Sequence, residues 1–146
     1  MSMGYKGTYY NSIDGKNRMI VPVKLRKQLG DGCVITIGIE GCLRIYSQEG
    51  WEEYEEKLDA IPENDLEAQK IIRKIFANAT DCEFDKQGKV NIPENLKKHA
   101  HITKDLVTMG VKRFIEVWAK EVWEAPDNDL DMTVEEMAAV LRQYNI

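Results

Sequence analysis

The chain has 146 residues, 43% hydrophobic and 31% charged, with a formal net charge of −5, enough for one domain with a buried core and too apolar for a disordered default. No stretch approaches the roughly 20 consecutive apolar residues of a membrane span, and residues 1–6 lack the apolar run of a secretory signal, so no membrane partner is expected. Three cysteines without a C-x-x-C pair, and two histidines, leave no disulfide framework or His-rich metal site to expect; they point to a reducing cytoplasm.

In chain order, residues 9–13 are β-prone and run into the turn-forming Asp14-Gly15-Lys16-Asn17, then the apolar run 19–21. Pro22 suits the first position of a short helix carrying Leu25 and Leu29. Gly30-Asp31-Gly32 turns the chain into a buried strand over 33–39, and Glu40-Gly41 turns it again into a strand over 42–46. Ser47 and Gly50 open a helix over 51–58. After Pro62-Glu63-Asn64 comes a second helix over 66–77, with Ile71, Ile72, Ile75 and Phe76 at helical spacing. The β-turn-β-helix-β-turn-β order then repeats. Beyond it, Asp127 to Asp131 reads as a flexible acidic link. Thr133-Val134-Glu135-Glu136 reads as a capping box for a last helix through Tyr144, with Met137, Val140 and Leu141 on one face.

The repetition is literal. Ile13-Asp14-Gly15-Lys16-Asn17-Arg18-Met19-Ile20-Val21-Pro22 aligns with Phe84-Asp85-Lys86-Gln87-Gly88-Lys89-Val90-Asn91-Ile92-Pro93 at an offset of 71. After a one-residue slip, residues 34–39 meet 106–111, 43–46 meet 115–118, and Trp51 meets Trp123. The chain therefore divides into a first repeat over 8–51, a helical connector over 52–79, a second repeat over 80–123 and an acidic tail with a helix over 124–146. A unit of about 44 residues rarely buries enough surface alone, so the copies should pack on each other into one core. Charge follows the same division. Residues 1–48 and 84–120 each carry a net +4, whereas 49–83 carry −7 and 121–146 carry −6. Screening beyond about 8–10 Å lets a polyanion respond to a local basic face more than to the chain total.

The constellation Asp-x-x-x-Arg-x-x-x-Pro, duplicated about 70 residues apart, resembles the MraZ family of bacterial transcriptional regulators. The likeness extends from Gly7 to about Glu124 and includes the Thr-x-Gly strand of each copy. It implies an α+β, mostly β fold: two SpoVT/AbrB-type swapped-hairpin half-barrels in a pseudo-two-fold arrangement, with a helical connector and a C-terminal helix. It also implies a cytoplasmic, nucleoid-associated protein that binds short direct repeats in double-stranded DNA upstream of an operon of cell-division and cell-wall genes. That operon usually contains the regulator's own gene, which the protein would repress, and it would assemble as a homo-oligomeric ring. No cofactor and no catalytic residue are implied. Carried over by position, the motif residues are Asp14 and Arg18 in the first copy and Asp85 and Lys89 in the second. Lys89 departs from the family arginine, keeping the charge but losing the planar fork.

Duplex DNA attracts Lys and Arg through counterion release, and an arginine fork can bond guanine O6 and N7 together. Arg18 is accordingly the expected base reader, while Lys16, Lys24, Arg26 and Lys27 hold phosphate around the first motif. Lys86, Lys89, Lys97 and Lys98 form the second basic set, followed by Lys112 and Arg113 at a hairpin tip. Asp14 and Asp85 repel phosphate and are expected to accept hydrogen bonds within their turns and orient the neighbouring cations.

Other chemistries fit the residues less well. Asp14 and Asp85 occupy equivalent turns, as in two-lobed aspartic proteases, but Gly15-Lys16 and Lys86-Gln87 follow them instead of Thr/Ser-Gly, and nearby cations would keep both ionised. Cys33, Cys42 and Cys82 are too irregularly spaced to join His99 or His101 at zinc. Trp51, Trp118 and Trp123 read as packing anchors in preference to base-stacking platforms. An alternative function is an antitoxin-like protein-interaction module, whose acidic segment 124–146 would neutralise a basic partner.

Overall fold

The computed structural model describes residues 4–126 and 132–146; the acidic link expected at 127–131 lies outside the described residues. Copy one forms β1 (Thr8–Ser12), β2 (Arg18–Ile20), α1 (Val23–Leu29), β3 (Gly32–Ile37) and β4 (Leu43–Tyr46). The connector forms α2 (Gln48–Asp59) and α3 (Leu66–Ala77). Copy two repeats the first series as β5 (Thr80–Glu83), β6 (Lys89–Asn91), α4 (Glu94–His99), β7 (Asp105–Val111) and β8 (Phe114–Ala119), followed by α5 (Lys120–Trp123) and α6 (Val134–Arg142).

Several ends differ from the sequence expectation, each for a local reason. Pro22 caps α1 from outside, with an extended ψ of 138°, and its carbonyl accepts the first helical bond from Arg26 N–H at 2.9 Å. β3 stops at Ile37, not 39, because Gly38 N–H turns to Cys42 O at 2.7 Å, leaving Ile39 exposed. The next strand begins at Leu43 because Cys42 is spent in closing that turn. α2 starts at Gln48, three residues early, because the Ser47 side chain already accepts from Gly50 N–H. The last helix ends at Arg142, two residues short of Tyr144.

The two copies exchange strands. The main sheet runs β1-β7-β8-β4-β3-β5, so the first strand of each copy pairs antiparallel with the third strand of the other. A second sheet is the ribbon β2-β6, one strand from each copy. Neither half has a sheet of its own, which makes the fold the α+β swapped-hairpin arrangement expected. The pseudo-two-fold axis can be located from the register. Arg44 faces Glu116 across β4 and β8, and Met19 faces Val90 across the ribbon; each pair is one position matched with its own repeat.

A single core results. Leu25 on α1 and its equivalent Leu96 on α4 are fully buried with Met19, Val90, Ile45 and Val117. Burying each such aliphatic side chain stabilises the fold by about 1.5–3 kcal/mol. The Thr-x-Gly strands follow from the packing. Thr36 and Thr108 are buried and their hydroxyls donate to Ile75 O at 2.7 Å and Asn11 Oδ1 at 3.1 Å, so neither polar group is left unpaired. Gly110 is required because the backbone of Tyr5 and Lys6 occupies the space a Cβ would take. The tryptophans pack: Tyr46–Trp51 and its repeat Trp118–Trp123 form ring pairs at 5.8 and 5.3 Å. Of the connector residues at helical spacing only Ile75 is buried, and α6 buries none of its side chains.

Candidate nucleic-acid interface

The two motif turns share one backbone design. In the first, Asp14 Oδ1 accepts from the N–H groups of Lys16 and Arg18, both at 2.9 Å, while Asp14 N–H donates to Arg18 O at 2.9 Å. In the second, Asp85 Oδ1 accepts from Gln87 N–H at 2.8 Å and Lys89 N–H at 2.9 Å, and Asp85 N–H donates to Lys89 O at 2.9 Å. Aspartate suits this position because its short carboxylate reaches the backbone two and four residues on. The penultimate turn residue adopts a left-handed conformation in both, Asn17 with φ 61° and Gly88 with φ 77°. Those are the two residue types that tolerate it at least cost.

The exchange of strands then brings the turns together. Asn17 O accepts from Ile92 N–H at 2.7 Å, and Gly88 O accepts from Val21 N–H at 3.1 Å, so each turn is held by the other copy. Across the axis the four motif side chains form one network. Arg18 Nε donates to Asp14 Oδ2 at 3.2 Å and Arg18 Nη1 to Asp85 Oδ2 at 3.5 Å, while Lys89 Nζ donates to Asp14 Oδ2 at 3.3 Å. Lys89 makes the bond across the axis but not the one to its own Asp85, where Arg18 makes both. A single ammonium lacks the fork that reaches two carboxylates. Arg18 spends two of its five N–H donors on this network, so three remain.

The electrostatics follow from the backbone donors. The Arg18 N–H holds the Asp14 carboxyl down at about 2, helped by Lys16 N–H, the Lys89 ammonium and the Arg18 charge. Asp85 is likewise lowered, foremost by the Lys89 N–H. Both carboxylates are held ionised and are bridged by the Arg18 guanidinium, which is not the shared-proton arrangement of an aspartic-protease pair. The thiols do not converge either: Cys33 faces Cys82 across β3 and β5, whereas Cys42 packs with Val107 and Trp118. Among the described residues no three His, Cys, Asp or Glu side chains form a group able to hold a metal ion.

Of the other cations singled out from sequence, two reach the turns from the helices. Lys97 on α4 donates to Asn17 Oδ1 at 2.7 Å and lies 3.8 Å from Glu94. Its repeat, Arg26 on α1, lays its guanidinium over Gly88, in the space a Cβ would fill. Lys16 and Lys86 are exposed at the turn tips; Lys24, Lys27 and Lys98 are exposed on the helices. None of these five has a side-chain hydrogen bond or ion pair among the described residues. Lys112 is exposed at the β7–β8 turn with φ 62°, and Arg113 lies 4.0 Å from Glu53 of α2. Asn17, Gly88 and Glu94 are part of the site although sequence reasoning did not select them; the alignment of Asn17 with Gly88 was the available signal. His101 is left-handed at φ 55°, where its repeat Gly30 has φ 84°, and so occupies a helix-ending position.

A protein-family model described as "MraZ protein, putative antitoxin-like" matches residues 5–74 and again 75–142, one match for each copy of the repeat. The chain belongs to the MraZ family. Curated MraZ relatives agree along nearly the whole length. The transcriptional regulator MraZ of Thermoanaerobacter pseudethanolicus is 44% identical over 140 residues, 96% of this chain and 98% of that protein. That of Lachnoclostridium phytofermentans is 42% identical over 142 residues, covering 97% and 98%. That of Ligilactobacillus salivarius is 39% identical over 142 residues, covering 97% and 99%. The MraZ family is thus one of transcriptional regulators, and no helix among the described residues is long and apolar enough to cross a membrane.

Proposed function

We propose that the chain is a sequence-specific DNA-binding regulator that docks through the paired turns on the pseudo-two-fold axis. The observation that carries this is the cluster itself. Lys16, Arg18, Arg26, Lys86, Lys89 and Lys97 gather around Asp14, Asp85 and Glu94, so a net positive, half-exposed patch stands in an acidic chain. Arg18, oriented by both aspartates, offers its remaining donors to a base edge. Lys16, Lys24, Lys27, Lys86 and Lys98 neutralise phosphate, as does Lys89 where it leaves Asp14. Asp14 and Asp85 act as positioning residues. The target would be short direct repeats upstream of its own operon of cell-division and cell-wall genes, with repression as the outcome. A homo-oligomeric ring in the cytoplasm, associated with the nucleoid, would engage successive repeats with the avidity of linked weak contacts.

Footprinting on the DNA upstream of the gene, comparing wild type with Arg18→Ala, tests this. Protection of spaced repeats by wild type, with preference for them erased in the variant, is expected; equal preference in both would remove Arg18 from base reading. The family description's antitoxin-like label favours a second reading, a protein-interaction module with a small basic partner. A mobility shift with upstream DNA beside a pull-down for such a partner separates the two.

A further inference from the structure

The two turns carry the same backbone but not the same cations, and the difference has a direction. Copy one has the fork at the motif position, Arg18, and copy two has only Lys89. A second guanidinium is nonetheless present at the copy-two turn, supplied by α1 of copy one. Gly88 is buried because Arg26 covers it, and any Cβ there would occupy the place of the Arg26 guanidinium. At the repeat of this position, Lys97 is tied to Asn17 and Glu94. Arg26 has no such tether: among the described residues its side chain makes no ion pair or hydrogen bond. Its five donors are uncommitted, and the turn beneath it has no side chain to hold it away from an approaching duplex.

Resting on the DNA-binding reading above, we propose that Arg26 is a specificity-determining residue: it gives the copy-two turn the base-reading fork that Lys89 lacks. Each protomer then presents two forks of different reach, Arg18 fixed by two carboxylates and Arg26 lying on a glycine. The protein therefore binds a non-palindromic site in one orientation, although its backbone is close to two-fold symmetric. Such a site fits head-to-tail repeats better than inverted ones, since the axis relates backbone and not donors.

The test uses the full chain and a duplex selected by the wild-type protein from a random-sequence pool. Every base pair of that duplex is substituted in turn and affinity read by fluorescence anisotropy. Failure of wild type to select any consensus would overturn the DNA-binding reading itself. With a consensus in hand, Arg26→Lys should keep affinity for scrambled DNA within about twofold, because the charge stays. It should lose about tenfold discrimination at one end of the site, with the other end unchanged. Gly88→Asn keeps every charge and a residue type that adopts the left-handed turn, as Asn17 does, but displaces Arg26; it should lose the same position. If both variants retain the full wild-type profile, or if Arg26→Lys weakens all sequences equally, Arg26 is only a phosphate contact and the proposal fails.

Discussion

The turn over residues 14–18 and the turn over 85–89 form a controlled comparison within one molecule. Their carboxylate-to-backbone bonds agree within about 0.1 Å. What differs is confined to side chains: Gly15 against Lys86, Lys16 against Gln87, Asn17 against Gly88, Arg18 against Lys89, and the covering residue, Lys97 against Arg26. Backbone geometry is thus secured by the aspartate and the left-handed residue, which frees the cations to diverge. The comparison teaches that a duplicated fold can keep its backbone symmetry while its cations diverge; on the DNA-binding reading proposed above, that divergence would give recognition a direction.

The largest expected effect tests whether the halves fold as one unit. Leu25→Ala and Leu96→Ala should each cost about 2–5 kcal/mol, and each should lower a single shared transition in chemical denaturation. Two separate transitions would contradict the exchanged-strand core. Next in size is the left-handed position. Asn17→Ala should destabilise the chain by about 1–2 kcal/mol in the same measurement, whereas Asn17→Gly should not show that strain and should release Lys97.

Acid titration sharpens the comparison further. The carboxyl of Asp14 lies at about 2 in the folded chain against 3.8 for the free group, so the folded state binds the proton more weakly. Its contribution is complete above pH 3.8 and is lost as pH falls through about 2; stability should therefore rise with pH across that window. Asp14→Asn should flatten that limb more than Asp85→Asn does, because Asp14 meets both Arg18 and Lys89 whereas Asp85 meets Arg18 alone. Equal flattening would mean that the side-chain network contributes nothing beyond the backbone bonds. The smallest effect belongs to Lys89→Arg. Restoring the fork should add the bond to Asp85 and raise Tm by no more than about two degrees.

Much of this was legible beforehand, and the reasons are physical. The duplication, the turns and the helix at Leu66–Ala77 follow from short-range signals: period, Gly and Asp placement, and capping residues. The resemblance supplied the swapped topology; strand alternation by itself does not say that β1 joins β7 or that β5 joins β3. Side-chain placement was least accessible. Arg26 read as one more phosphate lysine-equivalent, because nothing in its own neighbourhood shows that it lies over a glycine 62 positions away. Likewise, Asn17 gave no hint that it would tether Lys97 from the other copy.

Hydrogen–deuterium exchange of the full chain, free and bound to a duplex carrying its selected repeat, tests the shared face most directly. Slowed exchange should appear at both 14–21 and 85–92, with the outer surfaces of α3 and α6 unchanged. Protection of one turn without the other, or of the helices in place of the turns, would contradict the account.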